Sequence, residues 1–326
     1  MNFETEILLI SFVIAIVLGL IIIPILKKFK VGQIERDDGP KSHLKKQGTP
    51  TMGGIIMMIT MILSVTGAYI FLTVTGQGEI ANKILPMLIL TLGFGVIGFI
   101  DDFKKLILKN TKGLKPSYKM LGLLVISVAF VLYLIKGAHL GTETYIPIAK
   151  TYIDMPIYLY IPFAIIVILA TTNAINLTDG IDGLASSVSA IIVTTLTIIG
   201  ISLSLPEVSI FGSIIVGAIL GFLVFNLHPA KVFMGDTGSL LIGGVISAIA
   251  LYIKMPILLI LIALVPVLET LSVIIQVAYF KKTGKRVFKM TPIHHHFELS
   301  GWKENKVVIV FSLVTLVLCV IGLKII

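Results

Sequence analysis

The chain has 326 residues, of which 56% are hydrophobic and only 13% are charged. Its mean hydropathy of +1.05 excludes an ordinary soluble domain and predicts an all-α integral membrane protein. The net charge is +9, but the basic residues occur in blocks without the interleaved aromatic residues of a nucleic-acid surface. We therefore expect a lipid bilayer and an anionic substrate as partners, and no nucleic acid. The single cysteine, Cys319, excludes an internal disulfide framework.

Ten apolar segments are long enough, or nearly so, to cross a bilayer, which takes about 20 helical residues. They are Ile7–Leu26, Met52–Thr73, Ile84–Ile100, Met120–Ile135, Ile157–Thr172, Leu184–Leu203, Val208–Asn226, Ser239–Ile253, Pro256–Phe280 and Val307–Ile325. We interpret the first as a retained helix, because Glu4 and Glu6 precede it and no small-residue cleavage site follows. Several segments are short, so one of them could re-enter the membrane instead of crossing it. Nothing resembles a linker, and we predict one domain over residues 1–326.

The basic residues predict how the segments are oriented. Lys and Arg accumulate in cytoplasmic loops, and the loops after the odd-numbered segments carry 7, 6, 0, 1 and 7 of the 26 basic residues. We therefore expect both termini outside. The same division places five aspartates at cytoplasmic helix ends: Asp101, Asp102, Asp179, Asp182 and Asp236. Because a carboxylate beside a bilayer is costly without a partner, these residues are predicted to form one functional site.

Two features should interrupt the helical pattern. The outer loop Lys136–Pro156 contains short runs of β-branched and aromatic residues around Tyr145 and Tyr152. These runs predict a short β-hairpin outside the membrane, although a simple linker would also fit. Pro266 lies inside the segment Pro256–Phe280. A proline within a membrane helix usually marks a kink or a break, so we expect an interruption there.

Adjacent carboxylates end the third segment, in the stretch GFIDDFKK. Two neighbouring carboxylates repel each other unless a cation or a proton lies between them. Asp101 and Asp102 are therefore candidates for Mg²⁺ binding or for acid–base chemistry, with a solvated helix end as the alternative. The lysines that follow, from Lys104 to Lys119, fit the positive-inside rule, and some of them could also hold a phosphate group.

A polar loop near the middle of the chain contains Asn173, Asn176, Asp179 and Asp182, with glycines after both aspartates. Glycines let a backbone approach a ligand closely, and Asn and Asp offer hydrogen-bond acceptors to a base or a sugar. The same pattern would also make a helix-capping turn. Its position beside the other aspartates favours a binding site.

The loop from Asn226 to Ser239 combines residues that suit a nucleotide diphosphate. Asp236 is a hard oxygen ligand for Mg²⁺, and the flanking glycines relieve crowding around a pyrophosphate. Phe233 could stack on a base, or simply pack at the membrane interface.

Two further loops carry positive or neutral donors. Lys46 lies in a glycine-rich approach to the second segment, which suits an anionic or uracil-like group but is also ordinary turn chemistry. His294, His295 and His296 are consecutive, so they cannot all point the same way and make a poor zinc site. We expect them to donate to phosphate oxygens.

Five of these stretches together resemble one family. KQGTPTMGG, GFIDDFKK, NAINLTDGIDGLA, NLHPAKVFMGDTGS and TPIHHHFE occur in this order on alternate loops. The chain thus resembles the phospho-N-acetylmuramoyl-pentapeptide-transferases, a branch of the polyprenyl-phosphate N-acetylhexosamine-1-phosphate transferases. The aspartate motifs are shared across that superfamily, whereas the triple-histidine loop is similar to the muramoyl-pentapeptide branch in particular.

The resemblance, together with the residue chemistry above, assigns roles to individual residues. The implied catalytic residues are Asp101, Asp102, Asp236 and His295, with Asp236 as the Mg²⁺ ligand. The implied substrate-binding residues are Lys46, Lys105, Lys109, Lys119, Asn173, Asn176, Asp179, Asp182, Asn226, Phe233, Gln276, His294 and His296.

The resemblance also implies a reaction. A multi-pass enzyme of the bacterial inner membrane, expected to be a homodimer, would transfer phospho-MurNAc-pentapeptide from UDP-MurNAc-pentapeptide to undecaprenyl phosphate, giving lipid I and UMP with Mg²⁺. A phosphomonoester has a second pKa of about 6, so the lipid phosphate needs little help from a base and we expect direct in-line attack. Asp101 would then accept a residual proton or order the nucleophile, and Asp102 would support lysine or metal geometry.

Two other functions fit part of the sequence. A superfamily relative could use UDP-GlcNAc or another UDP-amino sugar, although the triple-histidine loop argues against it. A secondary transporter would also carry carboxylates in membrane segments. Transporters, however, place their sites near the membrane midplane and often contain internal repeats, whereas here the acids cluster at helix ends.

Overall fold

A computed structural model describes residues 2–29, 46, 48–106 and 113–326 of the chain. Within these residues the helices are α1 (Phe3–Lys28), α2 (Gly54–Val74), α3 (Gly78–Leu106), α4 (Pro116–Lys136), α5 (Ile157–Thr178), α6 (Leu184–Ser202), α7 (Pro206–Asn226), α8 (Gly235–Tyr252), α9 (Leu259–Ile262), α10 (Leu264–Thr283), α11 (Ile293–Glu298) and α12 (Glu304–Lys324). All except the short α9 and α11 are long and apolar enough to cross a membrane. The prediction of an all-α membrane protein with ten spans is confirmed.

Most of the helices extend beyond the apolar segments that predicted them. Helix α3, for example, was expected over Ile84–Ile100 but continues through both aspartates and two lysines to Leu106. Charged residues can continue a helix once it leaves the hydrocarbon layer, because propensity and backbone hydrogen bonding do not require apolar side chains. The extension matters for function, because it places Asp101 and Asp102 on a rigid element.

The ninth segment is interrupted, as predicted, but the break precedes the proline. A 3₁₀ turn at Pro256–Leu258 leads into the short α9, which ends at Ile262, and Ala263 separates it from α10, which begins at Leu264. Pro266 is the third residue of α10. The backbone N–H groups of a first helical turn have no partner within the helix, so a proline is tolerated at this position.

The centre of the bundle is formed by α6, α7 and α8. Helix α8 is the most enclosed, since 89% of its apolar stretch is buried, compared with 22% for α10. Helix α3 packs along α8, and α1 packs along α7. Hydroxyl groups inside these helices donate to carbonyls of the preceding turn, as Ser247 does to Gly243 at 2.9 Å. Such bonds satisfy polar groups where water is absent.

The predicted hairpin is present. Strands β1 (Glu143–Ile146) and β2 (Thr151–Asp154) pair antiparallel, with Tyr145 opposite Tyr152. The backbone N–H of Tyr145 donates to the carbonyl of Lys254 at 2.8 Å. Lys254 follows the end of α8, whereas Asp236 lies in its first turn, so the hairpin and the aspartates are at opposite ends of the bundle. That the aspartate end faces the cytoplasm stays a prediction.

Candidate active site

The end of α3 and the beginning of α8 are in direct contact. A Cβ atom at Gly98 would lie 2.2 Å from the carbonyl oxygen of Asp236, so only glycine allows this approach. One turn later, the buried carboxylate of Asp102 accepts hydrogen bonds from the backbone N–H groups of Asp236 at 3.2 Å and Thr237 at 2.9 Å. It also accepts one from the Thr237 hydroxyl at 2.7 Å. Asp102 thus caps α8 and fixes where Asp236 points.

Asp236 is shared by two lysines. Its Oδ2 accepts hydrogen bonds from Nζ of Lys105 at 2.9 Å and of Lys119 at 3.0 Å. The same ammonium groups lie 2.7 Å and 3.5 Å from Oδ2 of Asp101. The backbone N–H of Leu114 donates to the other oxygen of Asp101 at 2.6 Å. We call Asp101, Asp236, Lys105 and Lys119 the two-lysine cluster.

Asn176 and Asp179 bring the central loop to this cluster. The Asn176 side-chain amide donates to Oδ1 of Asp236 at 2.7 Å and contacts Ser239 Oγ at 2.8 Å. Burial, followed by the nearby carboxylates of Asp236 and Asp102, raises the pKa of Asp179 to about 8. Asn173, by contrast, bonds back to its own helix, at the carbonyl of Leu169.

A second charged cluster also contains two carboxylates, but it has one lysine and one histidine where the first has two lysines. Nζ of Lys46 lies 2.7 Å from Asp182 and 2.5 Å from Glu304. Nδ1 of His228 lies 3.0 Å from the other oxygen of Asp182 and 3.3 Å from Glu304. The backbone N–H of Asp182 also donates to Glu304 at 2.7 Å. We call Lys46, Asp182, Glu304 and His228 the one-lysine cluster.

The electrostatics of the one-lysine cluster favour a charged lysine. Burial by itself would lower the pKa of Lys46, but the hydrogen bonds with Asp182 and Glu304 outweigh burial and raise that pKa above its usual value. Ligand atoms of Asp182, His228 and Glu304 lie close enough together to hold a metal ion. The Lys46 ammonium group already bonds two of these three residues, so within the described part of the chain this cluster is satisfied by a side-chain cation.

Three predicted substrate-binding residues, Asn226, Gln276 and Phe233, differ in their contacts with the rest of the protein. Asn226 is buried and bonds Ser186 at 2.7 Å and the carbonyl of Val232 at 3.0 Å. The Gln276 side chain bonds backbone groups in the loop after α10, including the Phe288 N–H at 3.0 Å. Phe233 is partly buried. Asn226 and Gln276 therefore hold the loops that they contact, whereas Phe233 keeps part of its surface exposed.

The histidine motif forms the short helix α11, which the apolar pattern did not predict. Nδ1 of His295 lies 2.8 Å from Glu298, and Nδ1 of His296 accepts a hydrogen bond from the backbone N–H of Lys289 at 3.1 Å. His294 is fully enclosed. Their different partners agree with the prediction that the three side chains do not converge on one ligand position. Lys109 lies outside the described residues.

The donor set of the two-lysine cluster fits Mg²⁺. Mg²⁺ is usually held by one or two carboxylates together with waters and substrate phosphates, and does not need a cage made by protein alone. Asp236 and Asp101 contact the same two ammonium groups, those of Lys105 and Lys119, and both are hard oxygen ligands. Asp236 and Asp101 would hold the ion, which would supply charge neutralisation to a bound phosphate.

Sequence reasoning missed Glu304 and His228. Glu304 begins the last helix, where an acidic residue is ordinary because it complements the helix dipole. His228 lies in the NLHPAKVFMGDTGS stretch, in which the sequence analysis considered Asp236 and Phe233 as ligand-binding residues but not the histidine. The sequence analysis also expected Asp102 to support the geometry of a lysine or of the metal ion. Among the described residues, Asp102 instead accepts hydrogen bonds from the first turn of α8.

The ten long apolar helices indicate an integral, multi-pass membrane protein, and comparisons with known proteins give its class. Residues 84–254 match the model of Glycosyl transferase family 4. The chain is 51% identical to a phospho-N-acetylmuramoyl-pentapeptide-transferase of Clostridium botulinum strain Eklund 17B, over 97% of this chain and 94% of that protein. It is 48% identical to the transferase of the same name from Acetivibrio thermocellus, over 96% of this chain and 92% of that protein. It is 49% identical to the transferase of that name from Halalkalibacterium halodurans, over 97% of this chain and 95% of that protein. The chain belongs to the phospho-N-acetylmuramoyl-pentapeptide-transferase family.

Proposed function

We propose that the chain transfers phospho-MurNAc-pentapeptide from UDP-MurNAc-pentapeptide to undecaprenyl phosphate, forming lipid I and UMP at the cytoplasmic face of a bacterial inner membrane. Membership of the family supports the reaction. The observation that carries it to particular residues is the pair of lysines on Asp236, 2.9 and 3.0 Å from one oxygen. Phosphoryl transfer depends mainly on positioning and on neutralising phosphate charge, and this cluster offers two ammonium groups at a fixed point.

The two-lysine cluster would hold the diphosphate of the donor. Lys105 and Lys119 would turn from Asp236 toward phosphate oxygens, and Asp101 would keep both ammonium groups near the reacting phosphorus. Mg²⁺, held by Asp236 and Asp101, would supply further charge neutralisation for the diphosphate and the leaving UMP. Asp101 already accepts the Leu114 N–H and contacts Lys105, which supports an ordering role rather than a nucleophilic one.

The one-lysine cluster would bind the uridine end of the donor. Uracil presents carbonyl acceptors and one N–H donor, and Lys46 with Asp182 offers both complementary groups within 2.7 Å of each other. Phe233 lies in the loop that connects the two clusters, and its ring would stack on the base. Glu304 would hold Lys46 and the Asp182 backbone in register.

Product formation from competing donors tests the proposed function. Purified protein in detergent is given undecaprenyl phosphate with UDP-MurNAc-pentapeptide or UDP-GlcNAc, with and without Mg²⁺, and UMP and lipid product are measured. We expect Mg²⁺-dependent UMP release and lipid I with the first donor only. Preference for UDP-GlcNAc would reassign the chain to another branch of the superfamily. Ion-driven uptake into liposomes without UMP release would instead indicate a transporter.

A further inference from the structure

A fully enclosed carboxylate–imidazole pair lies beside the site. Glu269 on α10 and His294 on α11 have no exposed side-chain surface, and His294 Nδ1 lies 3.1 Å from Glu269 Oε2. The same oxygen accepts a hydrogen bond from the backbone N–H of His294 at 3.3 Å. A carboxylate enclosed in a membrane-spanning helix is costly, so such residues usually mark function.

Glu269 attaches His294 at two points. His294 is the second residue of α11, where a backbone N–H has no acceptor within its own helix. Oε2 of Glu269 supplies that acceptor and also faces the ring of the same residue. The hydrogen bond fixes the start of the helix, and the second contact keeps the imidazole beside the carboxylate.

The opposite edge of the imidazole rests on the aspartate loop. A Cβ atom at Gly180 would lie 2.2 Å from Nε2 and 2.6 Å from Cε1 of His294. Gly180 directly follows Asp179 and precedes Asp182 by two positions. The ring of His294 also packs edge-on against that of His295, with centroids 4.1 Å apart. His294 is thus wedged between Glu269, the aspartate loop and the next histidine.

The pair is not optimised for stability. Among the described residues, Oε1 of Glu269 and both ring nitrogens of His294 have no hydrogen bond of good geometry. Enclosed polar atoms without partners are destabilising, and apolar side chains of the same volume would pack here at lower cost. The enclosed Glu207 at the other end of the bundle differs, since it accepts a hydrogen bond from the Tyr252 hydroxyl at 3.0 Å.

We propose that Glu269 is a positioning residue of the transfer reaction. Through His294 it holds the Asp179–Asp182 loop and His295 in the arrangement that the reaction uses. The inference rests on the proposed function, because Asp182 of this loop belongs to the one-lysine cluster and the family resemblance gives His295 a catalytic role. It predicts that loss of the Glu269 charge acts on the turnover step and acts through His294.

A double-mutant cycle tests this proposal. Glu269→Gln, His294→Gln and the double variant are assayed for UMP release, with Glu207→Gln as a matched control for loss of an enclosed carboxylate. We expect Glu269→Gln to lower kcat about tenfold while the donor KM stays within about twofold. The double variant should be no slower than His294→Gln alone, because both changes remove one interaction. Glu207→Gln should keep the wild-type kcat.

The thermal midpoint and the elution profile of each variant establish that it is folded. A folded Glu269→Gln with wild-type kcat, a double variant whose losses multiply, or an equal loss in Glu207→Gln would each overturn the proposal. If Glu269→Gln does not fold, the test rests on His294→Gln, and a wild-type kcat in folded His294→Gln overturns the proposal, because Glu269 is proposed to act through His294. Absence of UMP release from the wild type would instead overturn the proposed function.

Discussion

The two charged clusters at the aspartate end of the bundle differ in how many lysines balance their two carboxylates. In the two-lysine cluster, one oxygen of Asp236 accepts from both Lys105 and Lys119. In the one-lysine cluster, Lys46 donates to both Asp182 and Glu304. The first cluster can therefore release ammonium groups to an incoming anion and keep its carboxylates available for a metal ion. The second cluster has more acceptors than cations, which suits a neutral group with its own N–H donor.

The contrast suggests a division of labour between the clusters. The two-lysine cluster joins α3, α4 and α8, which are rigid elements, as the positioning of a reacting phosphate requires. The one-lysine cluster joins Lys46 and two loops to the start of α12, which suits recognition of the part of the donor that does not react. Changes in the first should lower kcat, and changes in the second should raise KM.

Asp236→Asn should have the largest effect. The substitution keeps the shape of the side chain but removes the charge shared by two lysines and one ligand of Mg²⁺. We expect kcat for UMP release to fall about a thousandfold, the size of effect seen when a fixed electrostatic contact to a transition state is lost. More than a tenth of wild-type turnover in folded Asp236→Asn would contradict the assignment.

Lys119→Ala should cost about a hundredfold in kcat, because one of the two ammonium groups on Asp236 is lost. Lys115 is a matched control. It lies four residues earlier on the chain, and its ammonium group lies over the ring of Tyr118, 5.9 Å from the centroid. Lys115→Ala should stay within about twofold of wild type. Equal losses in both variants would mean that general positive charge, and not the contact with Asp236, matters.

Glu304→Gln should raise the donor KM about tenfold, which corresponds to about 1.4 kcal/mol of binding, and leave kcat nearly unchanged. The reason is that Glu304 orients Lys46 and the Asp182 backbone without reaching the reacting phosphates. Glu143→Gln is the control, since Glu143 also pairs with a lysine, Lys254, at 2.7 Å, but at the other end of the bundle. A fall in kcat at saturating donor would remove the distinction between the clusters.

Asp179→Asn should have the smallest effect, visible in stability. The folded-state pKa of about 8, against an ordinary value of 3.8, means that folded Asp179 holds a proton that the unfolded chain releases. Its contribution is fully present below about pH 4 and is lost as pH rises to about 8. Without donor or Mg²⁺, the thermal midpoint of the wild type should fall more between pH 5 and 8 than that of Asp179→Asn. Asp154→Asn, on the exposed hairpin, should keep the wild-type slope.

The membrane fold was predictable because its signal is long and redundant. Each span is a run of apolar residues, and a bilayer allows almost no other use for such a run. Local breaks were harder to place. Pro266 predicted an interruption, but the proline fits in the first turn of α10, so the chain breaks at Ala263 instead.

The candidate site was predictable only in part, because side-chain contacts cross the sequence. Asp101, Asp102, Asp179, Asp182 and Asp236 are conspicuous as carboxylates at the ends of apolar runs. Glu304, by contrast, begins a helix, where an acidic residue is common. Its role becomes visible only through its contact with Lys46, 258 positions away in the sequence. The pattern likewise could not show that Asp102 caps α8, because capping between two distant helices leaves no local signature.

The division of labour is tested most directly by measuring donor binding and turnover in Asp236→Asn and Glu304→Gln side by side. Binding of UDP-MurNAc-pentapeptide is measured by titration calorimetry, and turnover by UMP release at saturating donor. We predict that Asp236→Asn binds the donor within about threefold of wild type but does not turn it over, whereas Glu304→Gln binds about tenfold more weakly and turns over nearly normally. The reverse pattern, with turnover lost in Glu304→Gln and kept in Asp236→Asn, would contradict it.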